Sequence, residues 1–173
     1  MKTLILGGVR SGKSRLAERL ASESGLPVTY VATASAQDEE MHKRISAHRV
    51  RRPGSWTVIE EPQRLSTTLS DPAVAGHCVL VDCLTLWLTN LLTAEDATLF
   101  ERECAALLAV LPTLVSQIIL VSNETNMGVT PLGELSRRYC DEAGRLHQEL
   151  AQVCDRVILT VAGLPHVLKG DPF

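Results

Sequence analysis

The chain has 173 residues, about the length of one ordinary domain, and a chain of this size buries about 70% of its unfolded surface. Hydrophobic residues make up 45% and charged residues 21%, a balance that excludes wholesale disorder, and the scarcity of aromatics (3%) calls for an aliphatic core. Seventeen Lys and Arg against twenty Asp and Glu give a net charge of −3, which argues against a general nucleic-acid binder.

Short apolar runs alternate with longer amphipathic stretches along the chain. Leu4–Leu6 reads as a strand, followed by a helix over Lys13–Ser24 with Leu16, Ala17, Leu20 and Ala21 at three- and four-residue spacing. A strand at Val28–Ala32 and a polar helix over Asp38–His48 come next. The segment Arg49–Ser55, with Arg51, Arg52, Pro53 and Gly54, reads as an irregular loop before a strand at Thr57–Ile59. Then come a strand at Cys78–Val81, an apolar helix over Leu84–Leu92, a helix over Ala97–Leu114 and a strand at Ile118–Val121. A long helix over Leu132–Val153 holds Gly144, which marks a kink or a close packing contact, and a strand follows at Arg156–Val161. The tail from Gly163 to Phe173, with Pro165, Gly170 and Pro172, reads as a surface extension. Strand–helix alternation of this kind predicts an α/β fold, a mostly parallel central sheet flanked by helices, with residues 1–173 forming a single domain.

Five cysteines without a C-x-x-C pair suit reduced thiols in the cytoplasm better than a disulfide framework or a zinc site. The chain opens directly on a strand with no leader pattern, and no run reaches the ~18 apolar residues of a membrane span.

The strongest chemical signal is Gly7-Gly8-Val9-Arg10-Ser11-Gly12-Lys13-Ser14, which satisfies G-x-x-x-x-G-K-[ST] between a strand and a helix. Its glycines let successive backbone N–H groups turn toward a phosphate chain, and the following helix adds a partial positive charge. Lys13 is placed to reach the β- and γ-phosphates, and Ser14 to ligate Mg²⁺. A second metal-side carboxylate is expected at the end of a neighbouring strand, where Asp82 follows Val79-Leu80-Val81. The alternative role for Asp82 is capping the helix that starts near Leu84. Glu60 also ends a strand, with Glu61 directly after it, and the sequence leaves its role open.

The stretch from Met41 to Pro53 carries five cations and no acid. It is either a triphosphate clamp or a solvated basic face, and it lacks the interleaved aromatics of a nucleic-acid patch. Within it, His42 and His48 fall on different faces of a helix, which speaks against a joint metal site. Neighbouring cations favour a neutral imidazole with a nucleophilic nitrogen. His77, His147 and His166 stand alone and read as structural or surface residues. Ser122-Asn123-Glu124-Thr125-Asn126 has neither the Lys nor the Asp of the guanine-reading element of Ras-like GTPases, which leaves a small-molecule kinase open.

Together these segments resemble the bifunctional adenosylcobinamide kinase / adenosylcobinamide-phosphate guanylyltransferase family of cobalamin biosynthesis. Beyond the phosphate loop, the marks are Ala32-Thr33-Ala34, Asp38-Glu39-Glu40-Met41, Arg44-Ile45 with His48, Trp56 to Glu60, Val81 to Thr85, Thr89 to Leu92, Val121 to Glu124, Met127-Gly128 and Ala143-Gly144-Arg145. The resemblance implies a RecA-like P-loop fold, assembled as a homotrimer. It implies phosphorylation of adenosylcobinamide by ATP or GTP, then transfer of GMP from GTP through a guanylylated histidine, matched here by His48. The implied nucleotide contacts are Gly7, Gly8, Val9, Arg10, Ser11, Gly12, Lys13 and Ser14, then Ala32, Thr33, Ala34, Arg49, Val50, Arg51, Arg52, Glu60 and Asp82. Glu60 is a candidate acceptor for guanine N1–H and N2–H₂. The chain departs from the family pattern at Thr125-Asn126, where Val-Gly is common, at His147, where Asn is usual, and at Ala47, where His occurs in relatives. A monofunctional P-loop kinase or a nucleotide-dependent assembly ATPase is the alternative.

Overall fold

The computed structural model describes residues 1–34 and 53–171. Among the described residues, seven strands form one sheet: β1 (Lys2–Gly7), β2 (Val28–Ala32), β3 (Thr57–Glu60), β4 (Cys78–Asp82), β5 (Gln117–Asn123), β6 (Arg156–Val161) and β7 (Leu164–Lys169). Their spatial order is β3-β2-β4-β5-β1-β6-β7, and every pairing is parallel except β6 with β7. The helices are α1 (Lys13–Glu23), α2 (Leu65–Leu69), α3 (Leu84–Leu92), α4 (Leu99–Val110) and α5 (Glu134–Val153).

The central strands are apolar on both sides because each side has its own helical cover. In β1, Leu4 and Leu6 face a core shared with Trp87 and Leu88 of α3, Leu107 of α4 and Leu146 of α5. Ile5, between them, turns to the other face and packs with Leu16, Ala17 and Ala21 of α1. The same alternation divides Val79 and Val81 from Leu80 in β4, and Ile118 and Leu120 from Ile119 in β5. Trp87 is fully buried and its indole N–H donates to the Gln63 carbonyl (2.7 Å), which ties α3 to the chain entering α2.

Two expectations are corrected. The tail is not a loose extension, since Leu164–Lys169 forms β7, antiparallel to β6. The turn between them places two successive residues, Ala162 and Gly163, at positive φ (52° and 81°), the backbone of a tight hairpin. The helix expected over Ala97–Leu114 is shorter. Pro112 lacks an N–H for another helical bond, so α4 stops at Val110 and Leu111–Thr113 continues as a 3₁₀ turn. The five-residue α2 was not expected at all, being too short to show a period. Gly144 does mark a close contact: a Cβ there would lie 2.7 Å from Asn126 Nδ2.

Candidate active site

The sheet brings the candidate residues to its carboxyl-end edge. Ala32 stands in register with Glu60 on one side and Asp82 on the other, and Gly7 in β1 pairs with Asn123 in β5. Strand β5 therefore lies between the phosphate-loop strand and the Asp82 strand. Ligands of open parallel sheets collect along such an edge, where loops leave the strands.

The loop itself is tightly braced. Ser11 N–H bonds back to the Gly8 carbonyl (3.2 Å), and Gly12, at φ 101°, hands the chain into α1 with its carbonyl accepting from Leu16 N–H (3.0 Å). Gly163 N–H donates to the Ser11 carbonyl (2.8 Å) and Glu124 N–H to the Gly7 carbonyl (2.9 Å). The β6–β7 hairpin and the end of β5 thus hold the loop from two sides. A Cβ on Gly7 would collide with the Thr160 carbonyl and sit 2.6 Å from Ser11 Oγ. Gly7→Ala is accordingly expected to lower stability by about 1–3 kcal/mol and to weaken nucleotide binding, readable by thermal unfolding with and without nucleotide.

Gly8, Val9 and Arg10 are exposed at the loop's crest, with Arg10 at φ 56°. Lys13 is buried instead, and its ammonium donates to the Gly8 carbonyl (2.6 Å). Burial lowers its pKa, and the nearby Cys83 and Asp82 partly oppose that shift. A desolvated ammonium held inside the loop is well suited to polyphosphate, which supplies the opposite charge that the protein only partly provides. Ser14 follows at half exposure on the first turn of α1.

Asp82 ends β4 and accepts a hydrogen bond from the Tyr30 hydroxyl (3.2 Å). Cys83, not Asp82, occupies the N-cap position of α3, so the capping alternative is set aside. A hydroxyl from Ser14 and a carboxylate from Asp82 are hard oxygen donors of the kind Mg²⁺ takes alongside phosphate oxygens. Burial and the charge of Asp82 push the Cys83 thiol up to about 11, so it stays protonated beside the loop. Thr33 is fully buried: its hydroxyl donates to the Cys83 carbonyl (2.7 Å) and accepts from Cys83 N–H (2.8 Å). Asn90 of α3 fixes the same segment, donating to the carbonyls of Thr33 (2.9 Å) and Pro62 (3.0 Å). Ala32 and Ala34 are half-buried, and Glu60 is exposed at the end of β3. His42, His48, Arg49, Val50, Arg51 and Arg52 lie outside the described residues, as does the helix expected over Asp38–His48.

Sequence reasoning passed over two long-range features. One is the hairpin on the phosphate loop. The other is a buried polar group beside it: His147 Nε2 lies 2.8 Å from Ser122 Oγ, and His147 Nδ1 lies 3.8 Å from Glu124 Oε2. Burial lowers the His147 pKa, only partly opposed by Glu124, which keeps the imidazole neutral around pH 7. Asn126 N–H donates to Glu124 Oε1 (2.7 Å), so two of the chain's departures from the family pattern meet at one carboxylate. The signal in the sequence was that pair of departures, which carried no hint that they adjoin. His77 bonds Thr29 through Nδ1 (2.9 Å), a structural role, and His166 is exposed on β7.

A strand–loop–helix phosphate cradle, a carboxylate two strands away and a mostly parallel sheet define a P-loop nucleotide-binding protein. The RadB recombinase structure shares the fold at a TM-score of 0.51 and 19% identity, over 91% of this chain and 73% of that one. Residues 3–168 match the family described as "Cobinamide kinase / cobinamide phosphate guanyltransferase", and the chain belongs to it. It is 63% identical to the bifunctional adenosylcobalamin biosynthesis protein CobP of Pseudomonas aeruginosa, over 99% of each chain. It is 36% identical to the bifunctional adenosylcobalamin biosynthesis protein CobU of Escherichia coli, over 98% of this chain and 100% of that one.

Proposed function

We propose that the protein phosphorylates adenosylcobinamide with ATP or GTP and then transfers GMP from GTP to the phosphate, giving adenosylcobinamide-GDP. The observation that carries this reading is the braced phosphate loop with its buried Lys13, in a chain matched to the kinase/guanyltransferase family over residues 3–168. It disfavours the single-activity kinase, because relatives matched over nearly their full length are named bifunctional.

In the kinase step the loop N–H groups and Lys13 hold the β- and γ-phosphates and draw off charge as the γ-phosphoryl group moves to the corrinoid hydroxyl. Ser14 and Asp82 would hold Mg²⁺, which supplies further positive charge to the phosphate oxygens when bound. In the transferase step an imidazole nitrogen of His48 attacks the α-phosphorus of GTP and pyrophosphate leaves. The phosphate of the corrinoid then attacks the histidine-bound GMP, and the imidazole is restored. Arg49, Arg51 and Arg52 reduce the repulsion between two anionic reactants, with Val50 among them, and Glu60 accepts from the guanine edge. Ala32, Thr33 and Ala34 line the nucleotide beside Asp82. The protein works in the cytoplasm as one domain and as a homotrimer, without nucleic acid.

Incubation with GTP labelled on the α-phosphate tests the reading. Acid-labile, base-stable label on the protein, passed on to corrinoid phosphate, is the expected result, and chelation of Mg²⁺ abolishes both activities. Unlabelled protein that still phosphorylates the corrinoid would favour the single-activity kinase.

A further inference from the structure

We propose that Glu124 accepts the proton of the corrinoid hydroxyl in the kinase step, with His147 behind it as a positioning residue. This deepens the function proposed above and rests on it. An alcohol becomes an effective nucleophile toward phosphorus only as its proton leaves, so the kinase needs a base within reach of the phosphate loop.

Topology places Glu124 where that base is needed. It follows directly on β5, between the strand that feeds the loop and the strand that ends in Asp82, and its own N–H is bonded to Gly7. Among the described residues, the other carboxylates of this edge are engaged or remote. Asp82 receives the Tyr30 hydroxyl, and Glu61 Oε1 accepts the N–H groups of Gln63 (2.8 Å) and Arg64 (2.7 Å). Glu60 stands on β3, separated from β1 by three strands.

The Glu124 side chain is also held in one direction. Asn126 N–H fixes Oε1, and Oε2 faces the ring of His147, with the Glu124 side chain 16% exposed. His147 is itself locked by Ser122, and among the described residues its Nδ1 has no hydrogen-bond partner. As a neutral imidazole it orients Glu124 without cancelling its charge. In the step, the hydroxyl oxygen bonds to the γ-phosphorus and the bond to the bridging β-oxygen breaks. The nucleoside diphosphate leaves with that electron pair, and the hydroxyl proton passes to Glu124 and then to water.

The test measures corrinoid phosphorylation and GMP–protein adduct formation on the same preparations. Glu124→Gln keeps the backbone N–H on Gly7, and is expected to lower kinase kcat about 10²-fold. Nucleotide KM and adduct formation should stay within twofold of the parent. Added formate should restore part of the kinase turnover of Glu124→Ala, which a merely structural loss would not allow. His147→Ala should lower kinase kcat with nucleotide KM unchanged, and His147→Asn, which keeps a polar partner for Ser122, should recover most of it. If Glu124→Gln does not fold, Glu124→Asp replaces it, expected to bind nucleotide normally and to turn over slowly. Parent-like kinase turnover in Glu124→Gln overturns the proposal. Equal loss of both readouts also overturns it, because that marks damage to the phosphate loop. A parent protein that forms the adduct but never phosphorylates the corrinoid overturns the kinase reading itself.

Discussion

Lys13→Ala is expected to lower the kinase rate by ~10²–10³, equivalent to roughly 3–4 kcal/mol of lost charge stabilisation in the transition state. The side chain is buried in the loop, with its ammonium on the Gly8 carbonyl, and no other described residue of the loop brings a buried cation to that position. The same burial that lowers the Lys13 pKa means that the empty protein carries an incompletely compensated charge there. Removing the ammonium should therefore leave the melting temperature of the nucleotide-free protein unchanged or raise it, while activity collapses. The split distinguishes a catalytic cation from a packing residue. Steady-state kinase assays beside thermal unfolding of nucleotide-free parent and variant check it. Near-normal turnover would mean that Lys13 does not hold the transferred phosphate.

The parts legible in the sequence are those whose physics is local. Eight consecutive residues from Gly7 to Ser14 carry the loop, because a phosphate cradle needs glycine at fixed offsets and a helix directly after it. Asp82 was visible because an apolar strand ending in a carboxylate places it at the sheet edge whatever the neighbouring strands are. The bracing was not visible. Gly163 reaches Ser11 across most of the chain, and His147 reaches Ser122 across 25 residues, and no periodicity encodes such pairs. The β6–β7 turn was hidden for a chemical reason: Ala162 sits at positive φ without the Asn-Gly signature that usually marks a tight hairpin. The segment of β7 accordingly reads as a tail in the sequence. Strand β7 also shows how little an antiparallel edge changes a parallel sheet, since it pairs with β6 alone.

His48→Ala is expected to abolish the GMP–protein adduct and the transfer of GMP to corrinoid phosphate, while phosphorylation of adenosylcobinamide persists. The basis is chemical. Transfer through a histidine needs the imidazole as a covalent carrier, and a side chain without a nucleophilic nitrogen cannot carry it. In the proposed kinase step, transfer to a hydroxyl draws on the loop, Lys13 and the oxygens of Ser14 and Asp82, all at the sheet edge, and needs no protein nucleophile. His42→Ala should keep the adduct, because the six-residue spacing predicts different helical faces and only His48 matches the family's nucleophile position. The described thiol beside the loop offers no competing carrier, since Cys83 remains protonated up to about 11. The three reactions, adduct formation, GMP transfer and corrinoid phosphorylation, are measured separately on each variant at saturating Mg²⁺. An adduct that survives in His48→Ala would assign the nucleophile to another residue. A kinase that falls with the adduct would give His48 a second task, holding the triphosphate for both steps.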